Sequence, residues 1–277
     1  MNKLAEKVQQ ALVTAIDNDD LVLPTLPEVA LKIRQAAEDP EISINHLSKV
    51  ISRDTALSAR LIKVVNSPLM RATQEVTDLH TAITRLGTNY SSNLAIGLVM
   101  EQIFHARSEV VELKMREVWR RSLEVAGVSY ALCRSRSHSH SQLKPDQAAL
   151  GGLVHQIGVL PILTYAEDHY ELLSDPVSLN HVIESIHPLL GDKLLGGWDF
   201  PEMLAKLPGQ YLNLERDSAS LDYIDLVQVA VLYCHQGTDH PLANVAVSTL
   251  PAIKKLRVDP YSDALRAELD EARSMFY

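Results

Sequence analysis

Apolar residues recurring every third or fourth position, in short runs cut by proline, aspartate and asparagine, run through this sequence from one end to the other. In the first run Leu4, Val8, Leu12 and Ile16 fall four apart, which lines them along one face of a helix and leaves Glu6, Lys7, Gln9 and Gln10 on the other. The same spacing returns in Val29 to Ala37, Ile44 to Ile51, Ala56 to Val65 and Leu79 to Leu86. Pro27, Asp39-Pro40, Arg53-Asp54 and Asn66-Ser67-Pro68 separate these runs. No stretch alternates apolar and polar residues as a half-buried strand must, so the expected class is all-α.

Helix ends follow from short polar side chains and glycine. Ser43 before Ile44 and Asp54 before Thr55 are placed to accept an orphan N–H of the following first turn, and Asp54 also gains from the helix dipole. Leu86-Gly87 has the form of a helix end, with Thr88 as the expected cap of a helix from Asn89 to about His105. After Ser108-Glu109 a long helix carries Val111, Met115, Trp119, Leu123 and Ala126 to about Cys133 and enters the low-complexity segment Ser135 to Ser141. His138 and His140 in that segment would point to different faces of a helix, and serine is a poor metal ligand, so a polar loop is expected there. Further helices are expected from about Pro145, from about Gly158, as a pair over Ser178 to Ile186 and Pro188 to Gly196, and over Leu221 to His235 and Pro260 to Met275. Four segments result: an N-terminal helix (1–20), a lobe of short helices (21–107), a lobe of longer helices (108–235) and a C-terminal loop and helix (236–277), with a soft boundary near Arg107 to Glu109.

A chain of 277 residues can bury a substantial core without disulfide or metal staples. Cys133 and Cys234 lie far apart with no CxxC spacing, which suits buried thiols in a reducing cytoplasm. The opening residues lack the uninterrupted apolar core of an export signal. The longest apolar tract, Ala148 to Tyr165, has nearly the length of a membrane span, yet His155, Gln156, three glycines and Pro161 interrupt it, and two buried helices around a break are expected instead. A formal charge of −9 gives no general attraction to a phosphate backbone, so nucleic acid is not the expected partner. Arg116, Arg120, Arg121, Arg134 and Arg136 fit a solvated helix face, and a local nucleic-acid patch is the alternative.

An ordered set of motifs carries more information. Leu26-Pro27, Asp39-Pro40, Ile51-Ser52-Arg53-Asp54, Leu61 to Pro68 and Ala82 to Gly87 are followed by Trp119-Arg120-Arg121-Ser122, Gly151 to Gly158, His187, and Trp198-Asp199-Phe200-Pro201. Across Leu21 to Val231 this order resembles the HDOD family, helical relatives of the HD-type metal phosphohydrolases. The resemblance implies an HD-like helical fold and a bacterial signalling or regulatory role, with a protein of a signalling pathway as partner.

HD-type hydrolysis needs several His and Asp ligands converging on a divalent metal. By the resemblance, the first ligand histidine corresponds to Arg121, the adjacent His-Asp pair to His155-Gln156, and the late aspartate to about Val231, with Asp222 and Asp225 as nearby candidates. Only His155 keeps a ligating side chain; Gln156 offers a neutral amide, and Arg121 brings positive charge. No catalytic residue, metal or cofactor is therefore expected. His155 is either an ordinary buried histidine or part of a vestigial pocket of Arg121, His155, Gln156 and His187 able to hold a nucleotide phosphate or another small anion. The remaining motif residues, Asp54, Asn66, Ser67, Gly87 and Trp198, read as structural: Asn66 and Ser67 through bonds to backbone at a chain reversal, Trp198 with Pro201 at a helix corner, and Trp119 in the core. His187, just before Pro188, reads as a capping or packing residue at a helix start.

No nucleophile elbow is present, and Gly151-Gly152 and Gly196-Gly197 lack the strand and Lys-Ser/Thr context of a phosphate loop. The leading expectation is a non-catalytic signal-transduction module that binds a protein partner. The alternative is a metal-dependent phosphohydrolase with a rearranged ligand set built from His155, His187 and nearby carboxylates.

Overall fold

The structure is a computed structural model that describes residues 3–18, 20–21, 23–39, 41–70, 74–135 and 142–277. Among these no strand is formed. The α-helices are, in chain order, α1 (Lys3–Asp17), α2 (Glu28–Ala37), α3 (Ile44–Ile51), α4 (Thr55–Val65), α5 (Leu79–Leu86), α6 (Thr88–Val99), α7 (Glu109–Arg134), α8 (Pro145–Val154), α9 (Val159–Glu167), α10 (Tyr170–Leu173), α11 (Pro176–Gly197), α12 (Glu202–Ala205), α13 (Leu207–Gln210), α14 (Tyr223–His235), α15 (Pro251–Leu256) and α16 (Asp263–Arg273). Short 3-10 turns follow α6 and precede α15. His138, His140 and Arg136 lie outside the described residues, as does Pro40.

Short side chains cap several of the helix starts. Ser43 accepts from the His46 N–H (3.1 Å), Asp54 from Leu57 (2.9 Å) and Asp78 from Thr81 (2.8 Å). Asp222 and Asp225 form a reciprocal capping box at the start of α14. Thr88 does not cap α6; it lies inside that helix, and Gly87 both ends α5 and starts α6. Gly87 has φ 84° and ψ 160°, a backbone state that a Cβ opposes, so one glycine supplies the sharp reversal without a capping side chain.

A second departure concerns α11. The expected pair of helices is one continuous helix with Pro188 in its interior. The missing N–H of Pro188 and the steric conflict of its ring cost helix stability, but Leu179, Val182, Ile186, Leu190, Leu194 and Leu195 keep one buried stripe across it, and packing outweighs local propensity. The apolar tract resolves into α8 and α9 with residues 155–158 between them, and Leu150, Leu153, Leu160, Ile162 and Leu163 are at most 3% exposed.

The helices gather into two compact units, each assembled from three separated stretches rather than from contiguous blocks of sequence. Unit 1 comprises Met1–Thr25, Glu101–Arg120 and Val154–Leu212. Its spine is α11, against which α1, α9, α10, α12 and α13 pack. The α1 stripe of Val8, Leu12 and Ile16 is buried, and Lys193 of α11 donates to the Ile16 carbonyl (2.7 Å), satisfying an orphan acceptor at the C-terminal end of α1. Trp198 ends α11 and donates through Nε1 to the Pro24 carbonyl (3.2 Å). At the start of α7, Glu167 accepts from the Ser108 N–H (2.7 Å), and Glu112 accepts from the Ala106 N–H and from Arg116, which holds its carboxyl down at about 2.

Unit 2 comprises Leu26–Met100, Arg121–Leu153 and Asn213–Tyr277. Its helices α2 to α6 form a bundle around Ile33, Leu47, Ile51, Leu61, Ile83, Leu94 and Leu98, all at most 1% exposed. Every residue of α14 is buried, which explains an apolar sequence with no polar face. The one carboxylate fully inside it, Asp225, is met by Lys255 (2.7 Å) and Arg216 (3.2 Å). Two glycines allow backbone contact: a Cβ at Gly152 would run into the Ala126 backbone of α7, and one at Gly127 into the Ala272 carbonyl of α16. Cys133 and Cys234 are buried and unbridged, and burial pushes both thiols up to about 12.

Candidate functional site

His155 lies in the turn after α8, fully buried, and Gln156 follows it. The Tyr211 ring stands edge-on to the His155 imidazole, with centroids 5.0 Å apart and planes at 88°. Tyr211 follows α13, is 2% exposed, and hydrogen-bonds the Gln156 side chain and His187 Nε2 (2.7 Å). His187 sits mid-helix in α11, not at a helix start, and its Nδ1 lies 2.6 Å from the Ile183 carbonyl.

These contacts determine the protons. A carbonyl can only accept, so His187 Nδ1 carries the hydrogen and Nε2 accepts from the Tyr211 hydroxyl. The Tyr211 oxygen in turn accepts from the Gln156 amide, which opposes the upward shift that burial imposes on the phenol. Burial pulls His187 down to about 4, with the Ile183 carbonyl working weakly against it, so the imidazole is neutral near pH 7. The cluster Gln156–Tyr211–His187 is thus a neutral, closed chain of donors and acceptors.

Of the expected pocket residues, the structure gathers His155, Gln156 and His187 around one tyrosine in unit 1. Arg121 belongs to unit 2, where its guanidinium Nη1 donates to Glu124 (2.7 Å) and to the Cys234 carbonyl (2.6 Å). Glu124 is 4% exposed and also accepts from Arg273 (3.2 Å) and the Tyr277 hydroxyl (3.0 Å). Val231 is a buried aliphatic residue of α14, while Asp222 and Asp225 are occupied at the helix cap and in the buried ion cluster. Among the described residues no three His, Cys, Asp or Glu side chains are grouped so as to hold a metal ion. Of the four residues at the implied ligand positions only His155 can ligate; the others are a cation, a neutral amide and an alkyl group, and one histidine does not make a metal site.

The remaining motif residues have local partners. Asn66 donates to the Val76 carbonyl (2.7 Å) and accepts from the Val76 N–H (2.9 Å), closing the connection between α4 and α5, and Ser67 beside it is 8% exposed. Of the arginines in the basic segment, Arg116 pairs with Glu112, and Arg134 donates to the Leu69 carbonyl (2.5 Å) and pairs with Glu268. Tyr211 was not anticipated: it lies 24 residues from His187, and nothing in the neighbouring Pro208-Gly209-Gln210 marks it.

The HDOD domain model matches residues 23–209. A crystal structure from Shewanella amazonensis SB2B, provisionally named a metal-dependent phosphohydrolase, is 29% identical, covers 99% of each chain and superposes with a TM-score of 0.88. An HDOD domain protein of unknown function from Geobacter sulfurreducens is 20% identical, with a TM-score of 0.65 over 97% of this chain and 98% of that one. A chain from Marinobacter aquaeolei VT8, provisionally named a signal transduction protein, is 20% identical with a TM-score of 0.66 over 100% of this chain and 65% of that one. The last two bear on fold alone. An uncharacterized protein of Treponema pallidum (strain Nichols) is 24% identical over 194 residues, which is 65% of this chain and 36% of the relative's length. With a family model spanning most of its length and an all-α fold shared from end to end with such structures, this chain belongs to the HDOD domain family.

Proposed function

We propose that this chain is a non-catalytic signal-transduction or regulatory module that acts by binding a protein partner. The observation that carries the proposal is Arg121: where the resemblance puts the first metal-ligand histidine, a guanidinium is tied to the buried Glu124 and to a backbone carbonyl. A guanidinium has no lone pair to offer a metal, and the buried ion pair with Glu124 holds it in that arrangement. Of the other three positions, Gln156 and Val231 offer neither charge nor a strong ligand, and His155 alone does not make a site.

A protein partner suits the surface of unit 1, where Val110, Leu113, Tyr170 and Val177 are each more than half exposed. His187, being neutral, brings no charge to hold an anion in unit 1. The competing reading, a phosphohydrolase with a rearranged ligand set, draws on the name given to the Shewanella relative. Metal analysis of the purified protein combined with turnover of a generic phosphodiester separates the two. Substoichiometric Fe, Mn and Zn without turnover supports the binding module; stoichiometric metal with turnover abolished by His155→Ala overturns it.

A further inference from the structure

We propose that Tyr211 is a built-in ligand surrogate: its phenol takes the position on His187 and Gln156 that a coordinated ion or its bound water would take, so unit 1 is complete without metal. The proposal rests on the non-catalytic reading only in taking His155-Gln156 as the ancestral ligand pair.

A histidine that ligates metal through one nitrogen typically donates its other N–H to a carbonyl or carboxylate, which fixes the tautomer and aims the lone pair. His187 has this arrangement: Nδ1–H is held by the Ile183 carbonyl at 2.6 Å, and Nε2 is aimed inward. At the end of that lone pair stands the Tyr211 hydroxyl, at 2.7 Å. A buried lone pair needs a proton donor or a Lewis acid, and here the donor comes from the chain itself. Gln156, in the place of the carboxylate, completes the substitution. A carboxylate beside a buried phenol would add a charge with no counter-ion, whereas the amide gives Tyr211 the donor it needs and leaves the cluster neutral.

The surroundings hold the phenol to one position. Three segments, residues 155–158, 183–191 and 207–211, pack closely: a Cβ at Gly158 would lie 2.5 Å from the main-chain Gly191 N, and one at Gly191 would run into the side-chain ring of Pro208. The spacing of these segments is therefore set by main chain on one side and by the Pro208 ring on the other, with the Tyr211 side chain among them. Both imidazoles buried in unit 1, His155 and His187, face that same ring, at 5.0 and 5.8 Å between centroids.

Two variants of the full-length protein test this. Tyr211→Phe keeps the ring and removes the oxygen; the expected result is a Tm lower by about 2–5 °C, with the 15N resonance of His187 Nε2 moving toward that of an imidazole nitrogen without a donor. Tyr211→Ala removes the ring; added phenol is expected to restore more of the lost Tm than toluene at equal concentration, because only phenol returns the hydroxyl. Unchanged Tm and an unchanged His187 resonance in Tyr211→Phe would overturn the proposal, as would equal rescue by phenol and toluene. Should Tyr211→Ala fail to fold, the phenylalanine variant and its 15N signature still decide. These outcomes are independent of metal analysis on the wild type: metal bound elsewhere in the chain sinks the non-catalytic reading and leaves the hydroxyl dependence at Tyr211 as it was.

Discussion

The Asn66 side chain and the Val76 backbone are joined by two hydrogen bonds, 2.7 Å from Nδ2 to the carbonyl oxygen and 2.9 Å from the amide nitrogen to Oδ1. The primary amide thus imitates a strand partner for a single residue in a fold without strands among its described residues. Val76 is 4% exposed, so both of its backbone groups lose water on folding and depend on this one side chain. Asn66→Ala is expected to cost about 2–3 kcal/mol in urea denaturation. Asn66→Asp is expected to cost as much, because a carboxylate cannot donate to the Val76 carbonyl; wild-type stability in either variant would refute the bridging role.

Stability should fall in acid through His187. Its folded value is depressed from 6.5 to about 4, so as the pH drops below 6.5 the unfolded chain takes up the proton first. The contribution is intact above 6.5, declines between there and about 4, and amounts to about 3 kcal/mol when complete. Urea midpoints measured across that window for wild type and His187→Gln give the test: the part of the decline due to this residue should be missing from the variant.

The buried ion cluster of unit 2 makes a separate prediction. Asp225→Asn takes from Lys255 the carboxylate 2.7 Å away inside the fold, while Arg216 loses one partner and keeps its pair with Asp222. A loss of about 3–5 kcal/mol is expected. A loss of less than about 1 kcal/mol, typical of an exposed pair, would mean that solvent reaches the cluster.

Two glycine-to-alanine changes should act with opposite signs. At Gly127 the added methyl meets the Ala272 backbone of α16, and about 1–3 kcal/mol of destabilisation is expected. At Gly196, near the end of α11, no heavy atom lies within 4 Å of the added methyl, so helix propensity alone acts and a gain of about 0.5–1 kcal/mol is expected. Thermal melts of the two variants side by side check the contrast.

What could be read in the sequence was what neighbouring residues determine. The helices Ile44–Ile51 and Leu79–Leu86 and the caps at Ser43 and Asp54 follow from spacing and from one short side chain reaching a nearby amide. The family was legible because its motifs are ordered along the chain. Pro188 misled because a breaker in local terms can be outvoted by a buried stripe on both sides of it. The one-turn helices α10, α12 and α13 are too short to show a period. At the candidate site Arg121 and Gln156 were visible as residue types that differ from those the resemblance implies. Their new partners were not: Cys234 lies 113 positions from Arg121, and Tyr211 becomes informative only once folding brings it to His187.

The chemistry of Cys133 and Cys234 has a practical consequence. Both sulfurs are sealed in the interior and neither ionises near neutral pH, so an alkylating dye mixed with the folded protein finds no native nucleophile of this type. A single cysteine introduced at Tyr170, which is 79% exposed, or at Val177, at 73%, would then carry one fluorophore at one known place without prior removal of the natural thiols. The protein is, as it stands, a clean background for reporting by fluorescence when another molecule comes to rest on unit 1.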